Sequence, residues 1–452
     1  MSSPSTIASA APSKGKLLRV LGVGFGIAVA LGSSIGAGIM RTPAMIAAGL
    51  PSAWLILLAW VVGGVYSLFG AWSLSEVGAM IPSAGAYYTI ARRAYGDYIS
   101  FLVGWTDWIS VCGGAAFISL LAGEYLGDLV PILAGHTTAL AAFIIAVLGL
   151  LQWRGIRWGS VFQNATSAIT SCVFMVLIVA AFAHPHYRSS TLTPMAVMPA
   201  GIALLAAWVL VLQAVIGTYD GWYAALYFGD EIVNPGVELP RSFIGGVLLL
   251  AAIYVLINAA LLYSLDMTRL AGENLPLARL AQIVSGERGA VVFRWLMTLI
   301  LISSANAAVL AATRVLFAMI RDGWGPLRFA SVNQGGTPVI PLFLTALAAI
   351  GFLFSGSFSR VLAVTAFFFV SKYLLSYLAV FVLRRREPKT MRPYRAFGHP
   401  WTTGAAVIGS LLYLAGVVAA DTRNTLYGCV VLIASYPIYR LLRRNVSAAP
   451  AN

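Results

Sequence analysis

Ala30-Leu31-Gly32-Ser33-Ser34-Ile35-Gly36-Ala37-Gly38-Ile39 breaks one long apolar run, and Val215-Ile216-Gly217-Thr218-Tyr219-Asp220-Gly221-Trp222 breaks another. Around them the chain is 60% hydrophobic and only 10% charged over 452 residues. Such a composition makes the bilayer the solvent, since a soluble chain carries about a quarter charged residues. In lipid an unpaired backbone amide or carbonyl costs several kcal/mol, so irregular backbone survives only where it lines a cavity or meets a ligand. Glycine interruptions at matching places in two halves of a chain point to a midplane binding site in a carrier for a small solute.

A spanning helix needs about 20 mostly apolar residues. Twelve stretches qualify, at 18–47, 53–78, 96–126, 137–153, 158–183, 199–228, 242–265, 291–319, 339–355, 361–384, 402–420 and 424–442. The breaks fall in the first and the sixth. If stretches 1–5 and 6–10 are structural repeats, the odd number per repeat forces opposite orientations, an inverted repeat. The expected fold class is an all-α integral membrane protein with discontinuous helices 1 and 6. Its parts are a disordered cytoplasmic segment at 1–16, one transmembrane domain at 17–443, and a cytoplasmic tail at 444–452. Within the domain, repeat one covers about 17–183, repeat two about 199–384, and the last two helices about 402–442.

The net charge of +14 is a topology signal. With a cytoplasmic N-terminus, 19 basic residues fall on the cytoplasmic side and 8 outside, the asymmetry expected of a multi-pass protein in the cytoplasmic membrane. No nucleic-acid partner is therefore expected. Cys112, Cys172 and Cys429 lie in separate apolar stretches and the four histidines form no metal-binding spacing, so neither a metal nor another cofactor is implied.

Gly36, Ala37 and Gly38 leave amide groups accessible at the start of a half-helix, whose positive dipole end suits a carboxylate. Gly32 and Gly36 also have the small-residue spacing of close helix packing. Freed carbonyls at Ile216 and Gly217 would accept from an ammonium. Asp220 is a charge at membrane depth, a functional candidate by default; it also suits the cap of a second half-helix. The interval 230–241 reads as a connector whose two prolines stop helix 6 and start helix 7. Glu76 and Asp107, near helix ends, read as snorkelling or capping charges. Lys372 within helix 10 calls for an acidic partner or an aqueous cavity.

The segment Gly32 to Ile39 followed by Arg41-Thr42-Pro43 resembles helix 1 of the amino acid–polyamine–organocation superfamily. Tyr219-Asp220-Gly221-Trp222, Asp230-Glu231-Ile232 and Asn234-Pro235 to Leu239-Pro240-Arg241 resemble helix 6 and its loop in the L-type amino acid transporters and their bacterial relatives. Thr313 to Met319 with Arg321-Asp322-Gly323, and Arg384 to Pro388 with Arg392-Pro393-Tyr394, are also similar to that family. The resemblance covers about residues 18–440. It implies a five-plus-five inverted repeat, alternating access and an amino acid substrate, with the lipid bilayer as surroundings; no obligatory protein partner is inferred.

By that resemblance the substrate site comprises Ser33, Ser34, Gly36, Ala37, Gly38, Ile216, Gly217, Tyr219 and Asp220. A Ser34 carbonyl would lie near the amine, and Asp220 would favour cationic side chains. Many family members carry a bulky aromatic gate where this chain has Gly217; glycine there either leaves a larger cavity or moves the gate to another residue, Phe367, Phe368 or Tyr373. Where exchanging and proton-linked relatives often place a lysine, the family alignment puts Thr170. Thr170, Ser303 and Ser304 offer oxygen ligands to a cation, or simply satisfy helix backbone. A polyamine or other organic-cation carrier is the alternative class. It would use Asp220 without needing the carboxylate site.

Overall fold

The computed structural model describes residues 17–50, 52–183, 202–354, 358–420 and 422–446. The segment 1–16, the polar interval 184–198 and most of the 444–452 tail lie outside the described residues. The first stretch is two helices, α1 (Val23–Ser34) and α2 (Ala37–Gly49), bent by 50° about Ile35 and Gly36. Next come α3 (Ala53–Met80), the short α4 (Tyr87–Tyr95), α5 (Asp97–Leu129), α6 (Thr137–Trp153) and α7 (Ile156–Ala183). The sixth stretch is α8 (Ile202–Tyr219), a turn, and a 3-10 segment at Ala224–Tyr227. The chain continues through α9 (Pro235–Ser264), the short α10 (Met267–Gly272), α11 (Pro276–Arg321), α12 (Val339–Leu353), α13 (Phe358–Arg386), α14 (Trp401–Ala420) and α15 (Thr422–Val446).

Among the described residues α3, α5, α7, α9, α11 and α14 are each long and apolar enough to cross a bilayer, as is the bent pair α1–α2 taken together. Shorter apolar helices account for α6, α12 and parts of α8 and α15. With α13 added, each of the twelve predicted stretches holds helix among the described residues, and the fold is that of an all-α membrane protein. Burial ranks the helices. In α11, 78% of the spanning window is inside the protein, against 22% in α14, so α11 is central and α14 peripheral. Around that centre α5 and α7 pack on α11, α3 packs on α9, and α1 is held between α7, α9 and α11.

Several boundaries differ from the sequence reading for local reasons. Pro235 opens α9 at its first turn, where the missing N–H is not needed, but Pro240 lies inside the helix instead of ending a loop. The eighth stretch begins at Pro276, because Gly286 (φ +69°) joins two helical pieces across a kink. The segment after Phe228 is more than a connector. Glu231 is buried against Arg314 of α11 in a two-pronged pair, with N–O distances of 3.0 and 3.1 Å. Asp230 accepts from Arg321 at 2.6 Å and from the Ala84 amide at 3.1 Å. On the same face Arg92 meets Asp322 at 2.5 Å and Arg93 meets Glu387 at 2.6 Å.

The two acids read as snorkelling or capping groups are buried and paired. Both oxygens of Glu76 are engaged by Arg384 (2.9 and 2.6 Å), with Arg392 at 3.0 Å and the Ala396 amide at 2.7 Å. Asp107 pairs with Lys372 at 2.6 Å, which supplies the partner that the lysine required. Asp107 and Lys372 are 265 positions apart, and Glu76 and Arg384 are 308 apart, too distant in sequence for spacing to announce.

Candidate functional site

The two breaks are built against each other. Gly221 has φ +109°, open only to glycine without strain, and a Cβ there would stand 2.7 Å from the Ser33 carbonyl carbon. A Cβ on Gly38 would meet the Thr218 backbone at 3.2 Å. Ser34 Oγ donates to the Tyr219 carbonyl (3.2 Å), and the Thr42 and Thr218 hydroxyls are 2.8 Å apart. The Tyr254 hydroxyl of α9 lies 2.8 Å from the Ser34 carbonyl oxygen and 3.1 Å from that of Thr218. Helix ends leave about four carbonyls without intrahelical partners; here Tyr254 and Ser34 take those of Thr218 and Tyr219. The Ser34 carbonyl, expected near a substrate amine, already accepts from Tyr254, a residue that sequence reasoning does not single out.

Beside the breaks is a cavity of about 480 Å³, within the span of about 300–1,000 Å³ usual for small-molecule sites. Ser33, Ser34, Gly36 and Gly38 line it from the first break, and Gly217 and Asp220 from the second. Small residues keep the space open: Gly113 and Gly114 of α5, and Ser304 and Ala307 of α11. It extends past Arg41 and the exposed Met45 toward the C-terminal end of α2. The opposite end is closed by Tyr223 and Tyr227, both buried.

Ile216 is packed against the core. Tyr219 is buried away from the cavity, its ring on Trp60 and Tyr254 and its hydroxyl on the Trp60 carbonyl at 3.0 Å. Among the candidate gates, the Phe367 side chain lies outside the described residues, as does that of Ala37. Phe368 and Tyr373 are buried and do not line the cavity; Phe369, one position on, does. Asp220 is not a cap. Its Oδ2 accepts a long 3.4 Å bond from the Tyr223 hydroxyl, its Oδ1 is buried without a hydrogen-bond partner, and no half-helix of α type follows it.

Of the oxygens considered for a cation, those of Thr170 and Ser303 have hydrogen-bond partners within the protein, and Ser304 lines the cavity. Thr170 donates to the Thr166 carbonyl of its own helix (2.8 Å), whereas Ser303 is bonded to Thr166 Oγ1 (2.6 Å) and to Gln163 (3.1 Å). The fully buried Gln163 amide also meets Ser167 and Asn306, and a Cβ on Gly32 would overlap it. Gly32 therefore serves close packing, while Gly36 and Gly38 face the cavity.

Two broken helices enclosing a solute-sized cavity within an apolar bundle define a membrane transporter of the discontinuous-helix class. The family described as amino acid permease matches residues 26–435, and the chain belongs to it. It is a multi-pass membrane transporter and not an enzyme. Over 441 residues the chain is 29% identical to the serine/threonine exchanger SteT of Bacillus subtilis, covering 95% of this chain and 98% of that one. It is 25% identical to the human b(0,+)-type amino acid transporter 1, covering 97% and 90%. Against the cystine/glutamate transporter of Pongo abelii the figures are 24%, 92% and 83%.

Proposed function

We propose that this protein exchanges amino acids across the cytoplasmic membrane by alternating access, using a five-plus-five inverted repeat and with both termini cytoplasmic. The observation that carries the reading is the convergence of the α2 N-terminus, the α8 C-terminus and Asp220 on one cavity. The amides at Gly36, Ala37 and Gly38 would bind the substrate carboxylate, helped by the positive end of the α2 dipole. The Ile216 and Gly217 carbonyls at the negative end of α8 would accept from the amine. Asp220, with one oxygen unpartnered, would face a cationic side chain. In this orientation the cavity opens outward, and the ion pairs around Glu231, Asp230 and Asp322 hold the cytoplasmic face shut. Phe369 takes the gating place offered by the cavity wall.

Counterflow in proteoliposomes without an ion gradient tests the reading. Vesicles preloaded with arginine or leucine should accelerate uptake of the labelled amino acid. Exchange supported by putrescine but by neither amino acid would replace it with the organic-cation carrier.

A further inference from the structure

The Lys372 side chain is only 3% exposed, and its ammonium sits among aromatic rings: 4.5 Å from the centroid of Phe369 and 4.9 Å from those of Tyr87 and Tyr223. An ammonium removed from water needs a carboxylate, and two are at hand. Asp107 holds it at 2.6 Å and also has Tyr227 hydroxyl contacts at 3.0 and 3.1 Å. Asp220 stands on the other side of one tyrosine, since the ring that Lys372 covers belongs to the residue whose hydroxyl reaches Asp220.

The cluster has two carboxylates and one ammonium, and the pairing decides which carboxylate is left over. Asp107 is fully engaged. Asp220 lines the cavity, with an unpartnered buried oxygen. The cation on the cavity wall, Arg41, lies at the exposed mouth.

We propose that Asp107 is a positioning residue for substrate selection: it holds the Lys372 ammonium away from Asp220 and so leaves Asp220 open to a cationic substrate side chain. This rests on the reading of Asp220 as a side-chain contact. Without the Asp107 charge, the flexible Lys372 stem would turn to the one carboxylate left, and the site would be filled by an ammonium of the protein itself.

The test is exchange of labelled arginine and leucine by purified protein in proteoliposomes. Asp107→Asn should lower the arginine-to-leucine ratio by about tenfold or more, the worth of a charge-assisted hydrogen bond. Adding Lys372→Gln to Asp107→Asn should restore the ratio. If Asp107→Asn does not fold, the double variant and Lys372→Gln alone carry the test, and both must keep the wild-type ratio. Equal losses for both substrates in Asp107→Asn, or a ratio that the double variant does not recover, would reduce the pair to a clamp between α5 and α13 and overturn the proposal. Asp220→Asn serves as the reference: an unchanged ratio there removes the Asp220 reading itself, whereas a lowered ratio there with an unchanged one in Asp107→Asn removes only the role of Asp107.

Discussion

Gly221 rests against Ser33 so closely that a methyl group at Gly221 would lie 2.7 Å from the Ser33 carbonyl carbon. The breaks of the first and sixth spans are therefore one structure in contact, and substitutions at them should differ in a graded way. Gly221→Ala combines that overlap with a positive φ, a strain of about 1–3 kcal/mol, and should lower the thermal midpoint and abolish exchange. Gly38→Ala asks Thr218 to yield by only a few tenths of an ångström. It should fold, and lose affinity for every amino acid alike. Melting curves of detergent-purified protein beside substrate titrations check both.

Tyr254→Phe removes the single O–H proton that the Ser34 and Thr218 carbonyls share. The expected cost is about 1–3 kcal/mol of stability, with slower exchange of cationic and neutral substrates in equal proportion. A selective loss would give Tyr254 a direct role toward the substrate.

Asp220→Asn should behave in the opposite way. A charge-assisted contact is worth about 1.5–3 kcal/mol, so arginine or lysine affinity should fall roughly ten- to a hundredfold while leucine changes by less than about twofold. Competition against one labelled neutral substrate measures both.

Arg314→Met strands Glu231 in the protein interior. Removing one partner of a buried ion pair costs about 3–5 kcal/mol, and the variant should fail to give a monodisperse peak by size-exclusion chromatography. Replacing both partners, Arg314→Met with Glu231→Gln, should recover most of the folded material.

Replacing sodium with choline should leave exchange unchanged, because the Thr170 and Ser303 hydroxyls are both already engaged at Thr166, one at its carbonyl and the other at its hydroxyl. Thr170→Ala should likewise preserve transport, with stability altered by less than about 1 kcal/mol. A strict sodium requirement that Thr170→Ala or Ser304→Ala removes would restore the cation-site reading.

The breaks are legible in the sequence because paired glycines and serines inside an apolar run free backbone groups that lipid cannot satisfy. The cost of a charge in lipid likewise singles out Asp220 and Lys372. Partners are not legible. Nothing near Lys372 in sequence points to Asp107, 265 positions away, and nothing near Ser34 points to Tyr254. Such pairs are made by packing between helices. Register within a helix is also hidden: Phe367, Phe368 and Phe369 are chemically identical neighbours in the chain, and only the rotation of α13 sets Phe369 against the cavity. The alternative of Asp220 as a cap assumes an α-helix beyond the break, where the chain instead makes a turn and four 3-10 residues.

The Tyr254 hydroxyl spans two carbonyls that belong to different spans, Ser34 of the first and Thr218 of the sixth. One atom thus acts as a rivet. As long as it stays in place, the distance between those carbonyls is a fixed ruler, and motion that exposes the other face must carry both breaks as a unit. Paired spin labels on α1 and α8 beside the rivet should give one narrow distance distribution with and without substrate, while the distance between labels at Met45 of α2 and Leu121 of α5, which both line the cavity, should broaden or shift.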